Sequence, residues 1–292
     1  MTGRLLVAGY LTIDISARVA RIPGFDERIT ATGVTRSQGG MAANCACAAA
    51  RHGTPVAFFG RAGTDGLGDE AITALEACGV DAQGVVRDPS GGSICLILVG
   101  PDGGRMIVSQ PLEFDWAHFD AALAAGAAGV HVDGYRLAEA LPRAAAARTR
   151  GLLTSIDLDG VAAPSWADAR AAATAFTTVF LNRGIATALG GAPESVADEL
   201  VRAGAERACI TLGAEGVAVA AAGQPATLVP GVPVEVTDTT GAGDAFAGAF
   251  LHRILAGADP LDAAAFANEA AALSTTFEGA RGFHPPIEEV VR

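Results

Sequence analysis

Residues 238–248 read Asp238-Thr239-Thr240-Gly241-Ala242-Gly243-Asp244-Ala245-Phe246-Ala247-Gly248. A strand-like run, Val232–Val236, leads in; Phe246, Phe250, Leu251 and Ile254 lead out at helical spacing. A Gly-Ala-Gly turn at a helix start leaves main-chain N–H groups unpaired and places the positive end of the helix dipole there. Glycines let that backbone approach an anion with no Cβ in the way. Gly241, Ala242 and Gly243 therefore form a candidate anion hole. Asp244 stands in the first helical turn beside it and has two readings. It is a carboxylate that satisfies free N–H groups at a helix start, or a general base next to a phosphate site. A dinucleotide-binding turn is the rival reading of these glycines and fails in detail. Phe246 stands where the third glycine belongs, and an acid aimed at a pyrophosphate would repel it.

Outward from this turn, short apolar runs alternate with Ala-rich helical ones. Residues 4–9, 55–60, 129–132, 152–158, 178–181, 208–212 and 216–221 read as strands. Residues 39–52, 69–78, 136–150, 167–175, 194–204, 242–256 and 260–275 read as helices. This alternation predicts an α/β protein of three layers, αβα, with a mainly parallel central sheet. Two segments break the rhythm. Residues 11–38 carry Pro23-Gly24 and then alternating polar and β-branched residues up to Arg36. Ser93–Val99 and Arg105–Ser109 flank Gly100-Pro101-Asp102-Gly103-Gly104, a hairpin signal. They predict a small antiparallel sheet, built from about residues 12–38 and 91–112, inserted at the edge of a single domain spanning 1–292 and placed to cover a cleft. No repeat or linker divides the chain.

Composition narrows the chemistry. Half of the 292 residues are apolar and 18% are charged, which supports a folded core. No apolar run reaches the ~18 residues of a membrane span. The segment Met1–Leu11 lacks the charged flank and cleavage site of a signal peptide. Thirty-two acids against twenty bases give a net charge of −12, which disfavours nucleic acid and anionic membrane as partners. All twenty bases are arginine. Without lysine there is no Walker A loop, no pyridoxal-phosphate Schiff base and no lysine-dependent aldolase. Phosphate chemistry must use main-chain amides, arginine or a metal. The five cysteines (Cys45, Cys47, Cys78, Cys95 and Cys209) are odd in number and scattered, so they read as small buried residues in a reducing compartment, the cytoplasm. The five histidines show no zinc-ligand spacing.

Two more glycine sites stand out. In Gln38-Gly39-Gly40-Met41-Ala42-Ala43-Asn44 a glycine pair opens a helix with an Asn one turn inside. Either the glycines permit close packing, or their amides and Asn44 face a polyol, with Asp14 as the carboxylate partner beyond the first strand. In Thr211-Leu212-Gly213-Ala214-Glu215-Gly216 the glycines flank a turn between strands, which as local structure is an ordinary hairpin.

Taken in this order over nearly the whole chain, the sequence resembles the ribokinase-type (PfkB) carbohydrate kinases. That family includes ribokinases, fructokinases, 2-keto-3-deoxygluconate kinases and adenosine kinases. The resemblance rests on residues 238–248. It rests also on Gly39-Gly40, Asn44, Ala48, Arg51, Gly53, Val56, Gly60, Gly63-Thr64-Asp65 and Gly68, and on Ile210-Thr211-Leu212-Gly213 with Gly216-Val217. It implies a kinase that moves the γ-phosphoryl group of ATP to a hydroxyl of a sugar, nucleoside or sugar-like molecule. Asp244 would be the general base, with the amides of Gly241, Ala242 and Gly243 as the anion hole. Asp14, Gly39, Gly40 and Asn44 would hold the substrate. Asn182, Thr211, Gly213, Gly216 and Asn268 would line the ATP cleft, with Mg²⁺ bridging the phosphates. Asp238, Thr240, Ser274 and Gly279 match a monovalent-cation site for K⁺. The inserted sheet would be a lid that excludes water, and lids of this kind often pair, which implies a homodimer.

The sequence also departs from that pattern. After the strand at 178–181 the family's Asn-x-x-Glu, whose Glu helps organise Mg²⁺, is Asn182-Arg183-Gly184-Ile185. The Gly-Lys-Gly of ribokinases is replaced at Met41-Ala42, which weakens a ribose assignment. Asp133 stands where ribokinases carry a substrate Glu, as a substitute or as a plain Asp-Gly turn. Arg105, on the lid hairpin, reads as a contact to an anionic group or as a solvated edge-strand charge. Ile185 leaves open a second function, a catalytically weak sugar- or nucleotide-binding protein with a regulatory role.

Overall fold

The computed structural model describes residues 3–91, 94–101, 104–110 and 115–282. In chain order its strands are β1 (Leu5–Ala8), β2 (Thr12–Arg18), β3 (Gly33–Gly39), β4 (Val56–Gly63), β5 (Asp81–Asp88), β6 (Ile94–Val99), β7 (Arg105–Ser109), β8 (Gly129–Val132), β9 (Leu153–Asp157), β10 (Thr178–Asn182), β11 (Arg207–Thr211), β12 (Gly216–Ala221) and β13 (Gln224–Pro230). The helices are α1 (Met41–Arg51), α2 (Gly66–Ala77), α3 (Ala117–Ala125), α4 (Leu137–Thr149), α5 (Trp166–Ala175), α6 (Arg183–Ala188), α7 (Pro193–Arg202), α8 (Ala242–Leu255) and α9 (Pro260–Ser274).

Nine strands form the central sheet in the order β13-β12-β11-β10-β9-β8-β1-β4-β5. From β11 through β5 every pairing is parallel; β12 and β13 close one edge antiparallel. Successive side chains of a strand point to opposite faces. Leu5 and Val7 accordingly enter one buried cluster with Phe246 and Phe250 of α8, and Leu6 and Ala8 enter another with Phe119 of α3 and Ala144 of α4. Helices thus cover both faces, the αβα layering read from the alternation. Among the described residues no helix is long and apolar enough to cross a membrane.

Four strands form a second, smaller sheet, β3-β2-β6-β7. Its two outer pairings, β2–β3 and β6–β7, are antiparallel; β2 and β6 pair parallel, Ile13 opposite Ile94. The reason is topological. β2 follows β1 and β6 follows β5, two parallel strands of the main sheet, so both leave its carboxyl end in the same direction. Residues 92–93, 102–103 and 111–112 of the expected lid hairpin lie outside the described residues.

Local expectations fail at the sheet edges. Val232–Val236 is not a strand: Val232, Val234 and Val236 are exposed and have no ladder partner. Pro233 interrupts that run. β5 and β13 went unforeseen because edge strands need no continuous apolar run, and β13 carries Pro225 and Pro230. α3 was also unforeseen; its polar residues share a short segment with Phe119 and Leu123, which alone are buried.

Candidate active site

All parallel strands of the main sheet end on one rim, where open α/β sheets bind ligands. Asp133 follows β8, Asp157 ends β9, Asn182 ends β10 and Thr211 ends β11. Neighbouring registers place Asn182 beside Thr211. Helix α8 starts at this rim.

The α8 turn is left without a side-chain cap. Gly241 caps the helix with φ +75°, and no side chain caps its first turn. A Cβ on Gly241 would lie 2.5 Å from the Ala280 Cβ. Gly243 is exposed, and a Cβ there would meet nothing within 4 Å. The Ala242 N–H turns back to Thr239 O at 3.3 Å. Arg105 is exposed, and its Nη2 crosses from β7 to donate to Thr239 Oγ1 at 3.3 Å, beside the turn.

Asp244 is buried next to that turn. Helices α1 and α8 pack closely because Gly248 lies against Cys45 O, where a Cβ would come to 2.5 Å. This approach brings Asn44 to Asp244, and Nδ2 donates to Oδ2 at 2.8 Å. Burial pushes the Asp244 carboxyl up to about 7; the Asn44 hydrogen bond and the Arg281 charge hold it down, while Asp159 and Asp133 push it up. A carboxylate poised near neutrality suits proton abstraction.

The substrate candidates converge on the same place. Asp14 lies on β2, its Oδ1 accepting from Thr12 Oγ1 at 2.7 Å, and burial raises its pKa. A Cβ on Gly39 would fall 2.2 Å from the Asp14 carboxylate, so the missing side chain is what lets Asp14 in. Gly40, φ +98°, abuts Tyr10 O. Arg281 spans the group: Nε donates to Asn44 Oδ1 at 2.8 Å and Nη2 to Gly39 O at 2.7 Å.

Asp133 takes the structural of its two readings. It is 2% exposed and accepts Tyr10 N–H at 2.6 Å, together with the main-chain N–H groups of Tyr135 and Ala42. Its carboxylate ties three chain segments together, and burial still lifts it to about 7.

On the nucleotide side, Asn182 Nδ2 donates to Asp159 Oδ2 at 2.6 Å, and Oδ1 accepts Ile185 N–H at 3.0 Å. Gly213 has φ +65° with open space around it, whereas a Cβ on Gly216 would lie 2.1 Å from Val229 O. Asn268 is buried and donates to Val229 O and Pro230 O, so its amide joins α9 to β13.

Three of the four monovalent-cation candidates meet. Asp238 Oδ1 accepts from Thr240 N–H and Oγ1, and Oδ2 accepts Gly279 N–H. Burial raises Asp238, but these bonds outweigh it and hold the carboxyl below its usual range. The Ser274 hydroxyl donates instead to Ala271 O, and Gly279 O accepts Gly282 N–H. Asp238 thus fastens the start of the α8 turn to the loop at Gly279.

Sequence reasoning missed Asp157, Asp159 and Arg281. The aspartates carried a usable signal, acids at the carboxyl end of a parallel strand. Burial, with the charge of Asp159, raises Asp157, and burial raises Asp159. Arg281 carried none: it lies far along the chain from Asn44, and only folding joins them.

A family profile described as pfkB family carbohydrate kinase matches residues 2–286. This chain belongs to that family. Carbohydrate kinases similar to it include a ribokinase of Bacillus subtilis, 30% identical with 98% of this chain and 97% of that protein covered. An ATP-dependent ribose-1-phosphate kinase of Halopiger xanaduensis is 31% identical, over 95% of this chain and 94% of that protein. Rice fructokinase-1 is 29% identical, over 100% and 98%. Among solved structures, Arabidopsis thaliana ribokinase complexed with ribose and ATP superposes with a TM-score of 0.86 at 24% identity, covering 100% of this chain and 98% of that one. That likeness establishes the fold of this kinase as ribokinase-like.

Proposed function

We propose that this carbohydrate kinase transfers the γ-phosphoryl group of ATP to a hydroxyl of a sugar or sugar-like molecule, with Asp244 as general base. The observation that carries the reading is a buried carboxylate, poised near neutrality, in the first turn of a helix whose glycine start leaves open space at Gly243. The acceptor O–H gives its proton to Asp244 as the oxygen attacks phosphorus. Charge gathering on the phosphoryl oxygens meets the Gly241 and Gly243 amides and the α8 dipole. Asp14 and the Asn44–Gly39–Gly40 turn orient the sugar, which makes the attack effectively intramolecular. Thr211, Gly213 and Asn182 form the side of the rim that receives the nucleotide.

Mg²⁺ is compatible with the residues present. Such ions commonly take one or two carboxylates and complete their shell from nucleotide phosphates and water. Asp157 and Asp159 would hold it. No group of three or more metal-ligating side chains exists among the described residues, and Ile185 packs against the core without a donor. When bound, the ion neutralises phosphate charge.

The small sheet is the lid, and one of its faces pairs with a second copy. Strand registers put Val34, Leu96, Met106 and Val108 on the face opposite Asp14, and all four are exposed. An apolar stripe of this kind marks an interaction surface. Val108→Glu is expected to halve the mass measured by sedimentation; an unchanged mass would exclude the pairing. A cytoplasmic location is consistent with ATP as donor and with five scattered, unpaired cysteines.

The test is a coupled ADP-release screen over pentoses, hexoses, keto-deoxy acids, sugar phosphates and nucleosides. Asp244→Asn should lower kcat on the active sugar by about 10²–10⁴-fold; wild-type turnover in that variant rejects the mechanism. Ile185 favours one second reading, a binder with weak catalysis. Calorimetric binding of sugar and nucleotide without turnover at any Mg²⁺ concentration would select it.

A further inference from the structure

Arg281 lies in the loop after α9 and is only 7% exposed. Its carbonyl accepts from Arg51 Nη2 at 3.0 Å, which holds the loop to the last turn of α1. Its side chain runs back to the first turn of the same helix and ends on Gly39 O and Asn44 Oδ1.

A carboxamide has one acceptor oxygen and one donor nitrogen, and its two orientations differ by a flip. A guanidinium only donates and does not lose its proton. With Arg281 on Oδ1, the flipped amide would set N–H donors against N–H donors. The remaining orientation turns Nδ2 onto Asp244 Oδ2. The second prong, on Gly39 O, acts on the turn whose missing Cβ admits Asp14.

We propose that Arg281 is a positioning residue for phosphoryl transfer: its two-pronged grip on Gly39 O and Asn44 Oδ1 locks the Asn44 amide toward Asp244 and sets the substrate turn in register with the base. The proposal rests on Asp244 being that base. It concerns a residue outside both glycine motifs, acting through Asn44.

The charged and titratable neighbours of Asp244 give the proposal a readout. Asn44 and the Cys45 thiol face it from α1, Asp133 and Tyr135 from the loop after β8, Asp157 and Asp159 from the end of β9, and Arg281 from the C-terminal loop. The acids favour the protonated form of Asp244; Asn44 and Arg281 oppose it. Loss of Arg281 removes its charge and frees Asn44 to flip, so the base ionises at higher pH.

The experiment uses the full chain and a sugar that the wild type phosphorylates. Arg281→Met keeps an apolar stem and removes both prongs. It should lower kcat on the order of 10²-fold, leave KM for ATP unchanged and move the acid limb of the pH–rate profile upward. Arg281→Lys keeps the charge but cannot fork to two acceptors; it should recover part of kcat and most of the limb position. In the Asn44→Ala background, Arg281→Met should add little further loss, because both act through one amide. Wild-type kcat and pH profile in Arg281→Met would overturn the proposal, as would full additivity with Asn44→Ala. Should Arg281→Met not fold, Arg281→Lys decides alone: a reduced kcat at unchanged KM for ATP supports it, and an unchanged kcat overturns it. A wild type without turnover on any sugar would instead reject the functional reading itself, before Arg281 is tested.

Discussion

Helices α1 and α8 begin alike and are used differently. Each starts at a glycine with positive φ, Gly40 or Gly241, and neither has a capping side chain. By contrast α2, α5, α6 and α9 open on Asp65, Ser165, Asn182 and Asp259, whose side chains accept first-turn N–H groups. At α1 the space that glycine leaves is filled by the protein: Asp14 occupies the place of a Gly39 Cβ, and Tyr10 O that of a Gly40 Cβ. At α8 the space around Gly243 stays open. Gly241 resembles that pair, since Ala280 takes the place of its Cβ, and Gly243 differs from all three in leaving open space. Glycine-opened helix starts that look alike in sequence therefore answer different physical demands.

Substitution at these positions separates the two uses. Gly243→Ala places a methyl group where the phosphoryl oxygens approach, and kcat should fall by on the order of 10²-fold, as for loss of an oxyanion donor. Its stability should rise by up to about 1 kcal/mol, because Ala is the better helix residue. Gly40→Ala should do the reverse in folding, losing at least about 1–3 kcal/mol to the positive φ and the contact with Tyr10 O. Urea denaturation paired with initial rates reads both. Equal destabilisation by the two substitutions would erase the distinction.

A smaller effect sharpens the same contrast through pH. Asp244 and Asp133 are held near 7 by burial, far above the ordinary carboxylate value. The folded state then binds these protons more tightly than the unfolded chain. Stability is greatest below the unfolded pKa and declines as pH climbs from about 4 to about 7. Activity runs the other way, since the base must be ionised. The melting temperature should be higher near pH 5 than near pH 8, while kcat rises over that range. Asp244→Asn should narrow the gap in melting temperature by removing one of the raised carboxyls. An unchanged gap in that variant would show that Asp244 is not the buried acid responsible.

Much of this protein was legible before folding. The alternation of apolar runs with Ala-rich helices determined the layers, because a parallel strand buried on both faces must be apolar throughout. The helix start at 241–244 was also legible locally, since its glycines, the helix dipole and an acid all sit within one helical turn. The edge strands β5 and β13 were not legible, because a strand with one free side is specified by its neighbour more than by its own residues. The reading of Asp133 was undecidable in sequence; only the fold shows three chain segments claiming its carboxylate.

The sequence by itself determined which residues could carry charge, donate from the backbone or accept a proton. Tertiary structure decided which of them meet. Asn44 and Asp244 touch because Gly248 lets two helices approach, and Arg281 joins them from a loop that no local pattern marks. The reason is that hydrogen bonds and burial act over a few ångströms of space, whereas a motif records neighbours along the chain.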